Sequence, residues 1–550
     1  MHARRPFSAL SWAPVLCCAL FGVTTVTGCA EERDPIDRVQ PNGISKSLFE
    51  GDWYYVATVV DVPSANGFTF VGDADFGGME KVRFDIQEDY LYVRRIVETV
   101  EGGDDKDTTG ADYEGEVVAA WPITSHFDIT NAYNPTTGER LNIREENASD
   151  RPWYERAYVR VDWSANPIHD YRLSWNRETV DSVPYYVQAF DASGKRNDDA
   201  PTFAEDQSYF DITNKVFAQA GTFEYPGYGT LPVCYLFGEE TTECGTGEYT
   251  LRHSFNKIDP DHQYEARPFK GPVTDMFGFF SSDRLTYDGR EGIREQGKKR
   301  YINRHNLWER SFDADGAPIA YADRTPKPVV YHVNGDFPDW LKPIARGVAD
   351  QWNSAFVDVI RALGNDYAGR MFILCENNPI RDDDPDVCGV PGETPRLGDI
   401  RYSFIAYVPK YMKYGLLGLG PSNVDPETGE IFSGMAYIYH HNNLAAYRVV
   451  ELVQLLNGDK DPGDYIDGVD LTDWRNRVQA SPTGEVAAQT YDLSDAAYMV
   501  DKIVNGPAAA YWEGRRWQLD EADLEQVREV GFDRWIAPHL EDHYRRGFNN

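Results

Sequence analysis

His539 and His543 stand four residues apart in the stretch "PHLEDH" (Pro538–His543). Pro538 suits the first position of a helix, and histidines at i and i+4 share a helical face, so the pair could grip one metal ion through neutral imidazoles. The chemistry then falters. A general base for a metal-bound water sits directly after the first histidine, or in the reversed H-x-x-E-H order, and Glu541 occupies neither place. Gly547 comes four residues after His543, and no third histidine follows. Solvated helix-face histidines are the plainer expectation. His440 and His441 are adjacent in a strand-like run, where successive side chains face opposite sides and do not readily chelate one ion. The acidic loop "NGDKDPGDYIDGVD" (Asn457–Asp470) has the closely spaced carboxylates of a calcium loop, but not the D-x-D-x-D-G order or the terminal Glu. A solvated loop is the expectation there, with calcium the rival.

The cysteines carry chemistry of another kind. Arg4 and Arg5 precede an apolar stretch, Ala13 to Val26, too short and broken to span a bilayer, and it ends in Val26-Thr27-Gly28-Cys29. A basic start, an apolar middle and small residues before a cysteine describe a bacterial lipoprotein signal, with residues 1–28 removed and Cys29 acylated. The polar residues that follow suit a lipid-anchored linker over 29–46. Cys17 and Cys18 leave with the signal, so Cys234, Cys244, Cys375 and Cys388 remain, an even number in an oxidising compartment. Four cysteines allow three pairings. The local solution is Cys234–Cys244 with Cys375–Cys388, and the rival, one zinc site from all four, lacks any C-x2-4-C pair.

Charge narrows the partners. The 54 Lys and Arg against 89 Asp and Glu give a net charge of −35, which argues against nucleic acid, since phosphate binding needs basic surface. A mature chain of about 520 residues implies more than one core. No later segment reaches ~18 uninterrupted apolar residues, so the expectation is a protein held on a bilayer through Cys29, in the bacterial envelope, facing periplasm or exterior.

Patterning divides the chain. Residues 47–310 read as β-rich: Asp52–Asp61 is a strand, and Val82, Phe84 and Ile86 alternate with polar neighbours before a second run, Tyr90–Val97, as in a hairpin. Further short runs, among them Tyr185–Phe190, Pro232–Phe237 and Tyr249–Phe255, sit between turn residues. The stretch 311–328, rich in Ala, Asp, Gly and Pro, reads as a linker. Residues 329–550 begin with a strand, Val329–Val333, and a helix expected over Asp339–Leu363. Asp339 is its candidate N-cap, and Trp340, Ile344, Val348, Trp352, Phe356 and Ile360 form its apolar stripe, widened by Ala345, Ala355, Val359 and Leu363. That stripe is expected to pack on a sheet containing Val329–Val333. Met371–Cys375, Ile400–Val408 and Ile431–Tyr439 read as strands, and Asn443–Leu456, Ser494–Val504 and Glu521–Val530 as helices. The class is α+β.

Several phrases then resemble a known family. "FGFFSSDRLTYD" (Phe277–Asp288), "RYINRHNLWE" (Arg300–Glu309), "DIRYSFIAYV" (Asp399–Val408) and "GPSNVDPETGEI" (Gly420–Ile431), in this order, are similar to the large bacterial zinc-dependent metalloproteases of metzincin type. The resemblance implies a β-rich domain followed by a zincin-like α+β domain, a long helix on a mixed sheet. It implies zinc as cofactor, and an edge strand at Met435, Ala436, Tyr437, Ile438 and Tyr439 that pairs with an extended polypeptide on the rim of a cleft. The family's zinc signature, H-E-x-x-H-x-x-G-x-x-H, is missing, because the sequence contains no His-Glu dipeptide. The expectation is a shortened or degenerate relative, or a protein that holds a polypeptide without cleaving it. Mass spectrometry of the native protein is expected to find a diacylglyceryl-modified Cys29 at the mature N-terminus; an unmodified terminus, or retention of residues 1–28, contradicts this.

Overall fold

Alternating polar and apolar residues build the first half of the chain into long antiparallel strands, because one face of each can be buried while the other stays wet. The computed structural model describes residues 34–458, apart from 64–69, 74–77, 98–99, 102–114, 165, 168–176, 184–196, 198, 221, 226–228, 233–246, 270–275, 291, 294–297 and 411–415. Expectations for Cys29, Cys234 and Cys244, the run 185–190, the loop beyond Gly458, the helices 494–504 and 521–530, and His539 and His543 lie outside the described residues.

The main strands are β1 (Asp52–Asp61), β2 (Glu80–Ile86), β3 (Tyr90–Arg95), β4 (Val117–Tyr133), β5 (Arg140–Asn147), β6 (Arg177–Val183), β7 (Tyr209–Ala220) and β8 (Gly247–Lys257). They lie in the order β5-β4-β3-β2-β1-β8-β7-β6 within one large sheet. The expected hairpin is β2–β3, with Ile86 opposite Leu91. Residues of the expected linker already pair with this sheet: Ile36–Asp37 with Ile143–Arg144, and Ile44–Ser45 with Tyr158–Val159. The core gathers Phe49, Trp53, Phe84, Trp121, Trp163, Phe210 and Phe255 on one face. Phe210 and Phe255 stack at 4.7 Å, and Trp53 meets Phe84 edge-on at 5.8 Å. Aromatic rings bury roughly 150–250 Å² each and favour such offset and edge contacts. Two further strands, β9 (Ser281–Asp288) and β10 (Lys299–Ile302), pair antiparallel.

A second sheet follows. Its strands are β11 (Arg304–His305), β12 (Val329–Val333), β13 (Phe372–Cys375), β14 (Ser403–Val408), β15 (Gly418–Leu419), β16 (Ser422–Val424) and β17 (Glu430–Tyr439), in the order β11-β17-β14-β12-β13. β12 is parallel to both β13 and β14, while β15 and β16 run antiparallel to β17, so the sheet is mixed. Between β12 and β13 runs the helix α1 (Lys342–Ala362). The chain is therefore a mixed α and β protein, mostly β among the described residues. The connection over 311–328 is tied down: Arg324 is buried, paired with Glu265 at 2.8 Å and stacked over Tyr321. Both sheets belong to one compact unit ending at Ile438. A second unit starts at Tyr439; its described part is α2 (His441–Asn457), closed by Gly458 in the left-handed conformation. His440 is the N-cap of α2 and His441 its first residue, so the two do not alternate across a strand as expected.

Helix α1 corrects two further expectations. It begins late: its N-cap lies two residues beyond the expected one, at Leu341, without a side-chain bond, and Asp339 pairs instead with Lys342 at 2.7 Å. Its buried residues are Ala345, Ala349, Val357 and Ile360. The first part of the expected stripe faces water, with Trp340, Ile344, Val348 and Trp352 exposed by 49, 50, 41 and 54%. Its last part is in the core as expected: Phe356 packs at the core's edge beside Phe372, and Ile360 is fully buried. The reason is geometric. A row of i+4 residues advances about 40° per step, so it winds round the helix, from the water side at Trp340–Trp352 to the sheet side at Ile360. Alanines let the backbone of α1 approach β13 closely there. Ile360→Ala is therefore expected to cost about 2–5 kcal/mol in denaturant unfolding, whereas Trp352→Ala stays within about 0.5–1 kcal/mol. The reverse order would refute this assignment of faces.

Candidate functional site

The phrase "DPETGE" (Asp425–Glu430) is the turn that joins β16 to β17. Its composition dictates its shape. The Asp425 carboxylate accepts the Glu427 amide at 2.8 Å, and the Thr428 hydroxyl accepts the Glu430 amide at 3.3 Å, as Asx and hydroxyl turns do. The Asp425 amide donates to the Glu430 carbonyl at 2.8 Å and closes the loop. Gly429 has φ +77°, and a Cβ there would stand 2.6 Å from the Ile302 carbonyl oxygen. No side chain fits. The Arg304 amide donates to the Gly429 carbonyl at 3.0 Å, and Arg304–His305 run parallel beside Glu430–Ile431.

Three carboxylates project from this turn, and each has a partner from the first half of the chain. Asp425 is paired with Lys81 of β2 at 2.8 Å and accepts the Tyr54 hydroxyl of β1 at 3.0 Å. Glu427 meets the same Lys81 at 2.9 Å and Arg284 at 3.4 Å. Glu430 meets His262 at 2.7 Å. Burial pushes the Lys81 ammonium down, but the charges of Asp425 and Glu427 outweigh it and hold the group above its ordinary range. Burial, then the Asp425 charge, pushes the Tyr54 hydroxyl up, so it stays a donor. Because the folded value of Lys81 is raised, its contribution is complete below the unfolded value of about 10.4 and fades only as pH climbs past that. The contribution of Lys81 is therefore indifferent to pH around neutrality.

A second joint lies at Arg396–Arg401. Arg396 pairs with the buried Asp211 of β7 and donates to Thr202 at 2.6 Å. Arg252 donates to the Leu397 carbonyl, and the Ile400 amide donates to Ser254 at 3.1 Å. Arg401 pairs with Asp399 at 2.8 Å and lies 3.8 Å over the Tyr209 ring. Gly398, at φ +82°, leaves room for Thr58 and Arg252, whose Cβ atoms lie 3.2 Å from where its own would be. Both joints bind large sheet to small by charge-assisted bonds in buried surroundings, where such bonds are strong and geometrically selective. In chemical terms this is a joint, because each carboxylate is already engaged by a cation or hydroxyl.

The other expected site residues separate as follows. Cys375 and Cys388 are bonded, with Cα atoms 5.8 Å apart. Met435, Ala436, Tyr437, Ile438 and Tyr439 all lie in β17, which is not an edge there. Gly418 pairs with Ile438 and Leu419 with Tyr437, and the Met435 amide donates to the Pro421 carbonyl at 2.9 Å. An extended polypeptide has no open ladder to join along that stretch, which corrects the expected rim. The short turn-rich segment Gly418–Val424 folds back on the strand and uses up its hydrogen bonds.

The zinc implied by the resemblance has no fitting donor set among the described residues. His305 is enclosed by the Tyr331 and Phe356 rings, and burial lowers it to about 4. His332 bonds the Cys388 carbonyl at 2.8 Å, His253 bonds Tyr55 at 2.9 Å, and His262 holds Glu430. No three His, Cys, Asp or Glu side chains converge among the described residues. A shallow hollow of about 520 Å³ beside the disulfide loop is lined by Ile380, Arg381, Asp382, Asp383, Pro391 and Gly392. It is surface relief without a buried polar group aimed into it.

Asp425→Ala is expected to destabilise the protein by about 3–5 kcal/mol, because it leaves Lys81 charged and half-compensated. Lys81→Met combined with Asp425→Leu should recover most of that loss in denaturant unfolding. A cost below about 1 kcal/mol for Asp425→Ala would mean the joint carries little. No protein-family model, curated protein or solved structure matches the chain, so its function has to be argued from these residues.

Proposed function

We propose that the chain is a lipid-anchored protein of the bacterial cell envelope, related to zinc metalloproteases of metzincin type and without an assembled zinc centre. One observation carries the relationship. The two most specific phrases, Tyr301–Arg304 and Asp425–Ile431, are more than a hundred residues apart in sequence and lie against each other: Gly429 sits on the Ile302 carbonyl, and β11 runs beside β17. Phrases that must fit each other are expected to travel together. A long helix on a mixed sheet agrees with the same reading. Anchoring through Cys29 rests on the signal pattern alone. No helix among the described residues is long and apolar enough to cross a membrane.

The alternative is a protein that holds a polypeptide without cleaving it, and the water-facing row Trp340, Ile344, Val348 and Trp352 favours it. Apolar rows at helical spacing are what amphipathic partner segments bind. The purified chain is expected to hold substoichiometric zinc and to show no chelator-sensitive peptide hydrolysis. Stoichiometric zinc that is lost in His539→Ala, together with chelator-sensitive cleavage, would overturn the reading.

A further inference from the structure

The segment ahead of the large sheet is fastened to it. Ile36 and Asp37 run parallel to Ile143 and Arg144 of β5, and the Arg38 amide donates to the Arg144 carbonyl at 2.9 Å. The Gln40 amide donates to Glu146 at 2.7 Å, while Arg160, itself paired with Glu146, donates to the Gln40 and Pro41 carbonyls at 3.1 Å. Ile44 and Ser45 pair with Val159 and Tyr158, and Leu48 and Phe49 end the run in the core. Four residues, 30–33, separate Cys29 from Asp34. The five Cα steps from Cys29 to Asp34 span at most about 18 Å. The register sets the direction of exit. Because Ile36–Asp37 is parallel to β5, the chain traced back from Ile36 heads towards Arg140 and the turn that joins β4 to β5. That turn ends a projecting ribbon, since β4 last meets β3 at Pro122 and runs on from Ile123 to Tyr133. The turn is held by its own bonds. The Asn134 amide donates to the Glu139 carbonyl at 2.9 Å, and the Asn134 side chain accepts the Thr136 amide at 2.9 Å. Tyr133, beside it, is 62% exposed.

We infer that the β4–β5 turn, with Tyr133, rests against the headgroups of the bilayer that holds Cys29. An acylated cysteine sits where headgroups meet acyl chains. Asp34 is then within about 18 Å of that boundary. The register puts Asp34 alongside Leu141, and the turn reaches past that point by about three residues of β-structure, roughly 10 Å. The gap that remains is about one headgroup layer, roughly 5–8 Å thick. An exposed tyrosine suits that layer, where one end of the ring is apolar and the other wet. The net charge of −35 would drive a loosely tethered protein away from an anionic surface, and a tether this short does not let it stand off. The inference rests on the acylation of Cys29 proposed above and adds to it which face meets the membrane.

The test uses the full acylated, oxidised chain in vesicles that carry nitroxide on a fraction of their headgroups. A fluorophore is placed on Thr136→Cys or, as the distant control, on Val390→Cys. Val390 is exposed on the small sheet, which joins the large one at β1, β2, β7 and β8, behind the ribbon. The Thr136 probe is expected to lose most of its emission, and the Val390 probe little. Inserting about twenty Gly and Ser residues between Arg33 and Asp34, an arm of roughly 25 Å root-mean-square length, should restore most of the Thr136 emission. Unaltered melting of each variant confirms that it folds. Equal quenching at the two positions, or quenching at Thr136 that survives the long arm, overturns the inference. The N-terminal mass judges the anchor separately. An unacylated terminus removes anchor and orientation together, whereas an acylated chain with an unquenched Thr136 probe refutes the orientation alone.

Discussion

Lys81 half-buried between Asp425 and Glu427, with the Tyr54 hydroxyl on the same Asp425, is the contact on which the described architecture turns. It joins residues 344 positions apart and locks the turn before β17 onto β1 and β2 of the large sheet. Buried ion pairs are costly to desolvate and add little net stability over a well-packed apolar contact. Their effect is on geometry: a carboxylate held by an ammonium and a phenol at once has few other places to be. The Arg396–Asp211 pair repeats the device at the other joint, with Arg252 and Arg401 completing it. Gly429 and Gly398 show the same pressure from the backbone side, each at positive φ and each against a neighbour that leaves no space for a side chain.

Where local chemistry decides, the sequence was legible. Asp52–Asp61 and Val329–Val333 are strands over the expected residues, and the Val82/Phe84/Ile86 alternation is a hairpin strand. The short Cys375–Cys388 loop closes as a disulfide. What failed depended on distant partners. The row Trp340–Trp352 has helical periodicity, and periodicity predicts the helix correctly; it does not say which face meets the sheet. Small residues at 345 and 349 decided that. Met435–Tyr439 reads as a strand and is one, but whether it lies at an edge depends on the chain folding back over Gly418–Val424. The joint itself was invisible, since neither Lys81 nor Asp211 carries any local sign of its partner.

The strand expected to form an open rim, Met435–Tyr439, is paired with the segment Gly418–Val424, and the turn before it has a structural role. The carboxylates of that turn, Asp425, Glu427 and Glu430, are committed to the protein's own cations. The phrases Tyr301–Arg304 and Asp425–Ile431 thus serve to fasten the sheets to each other. Among the described residues, the row Trp340, Ile344, Val348 and Trp352 of α1 and the segment Met276–Phe280 face solvent.

Native-state hydrogen exchange tests the central claim, that the joints make the two sheets one cooperative body. If they do, amides of β1 and β8 in the large sheet and of β12 and β14 in the small one open with the same free energy. If β12 and β14 exchange through an opening about 2 kcal/mol or more below that of β1 and β8, the joints are surface fastenings and the account is wrong.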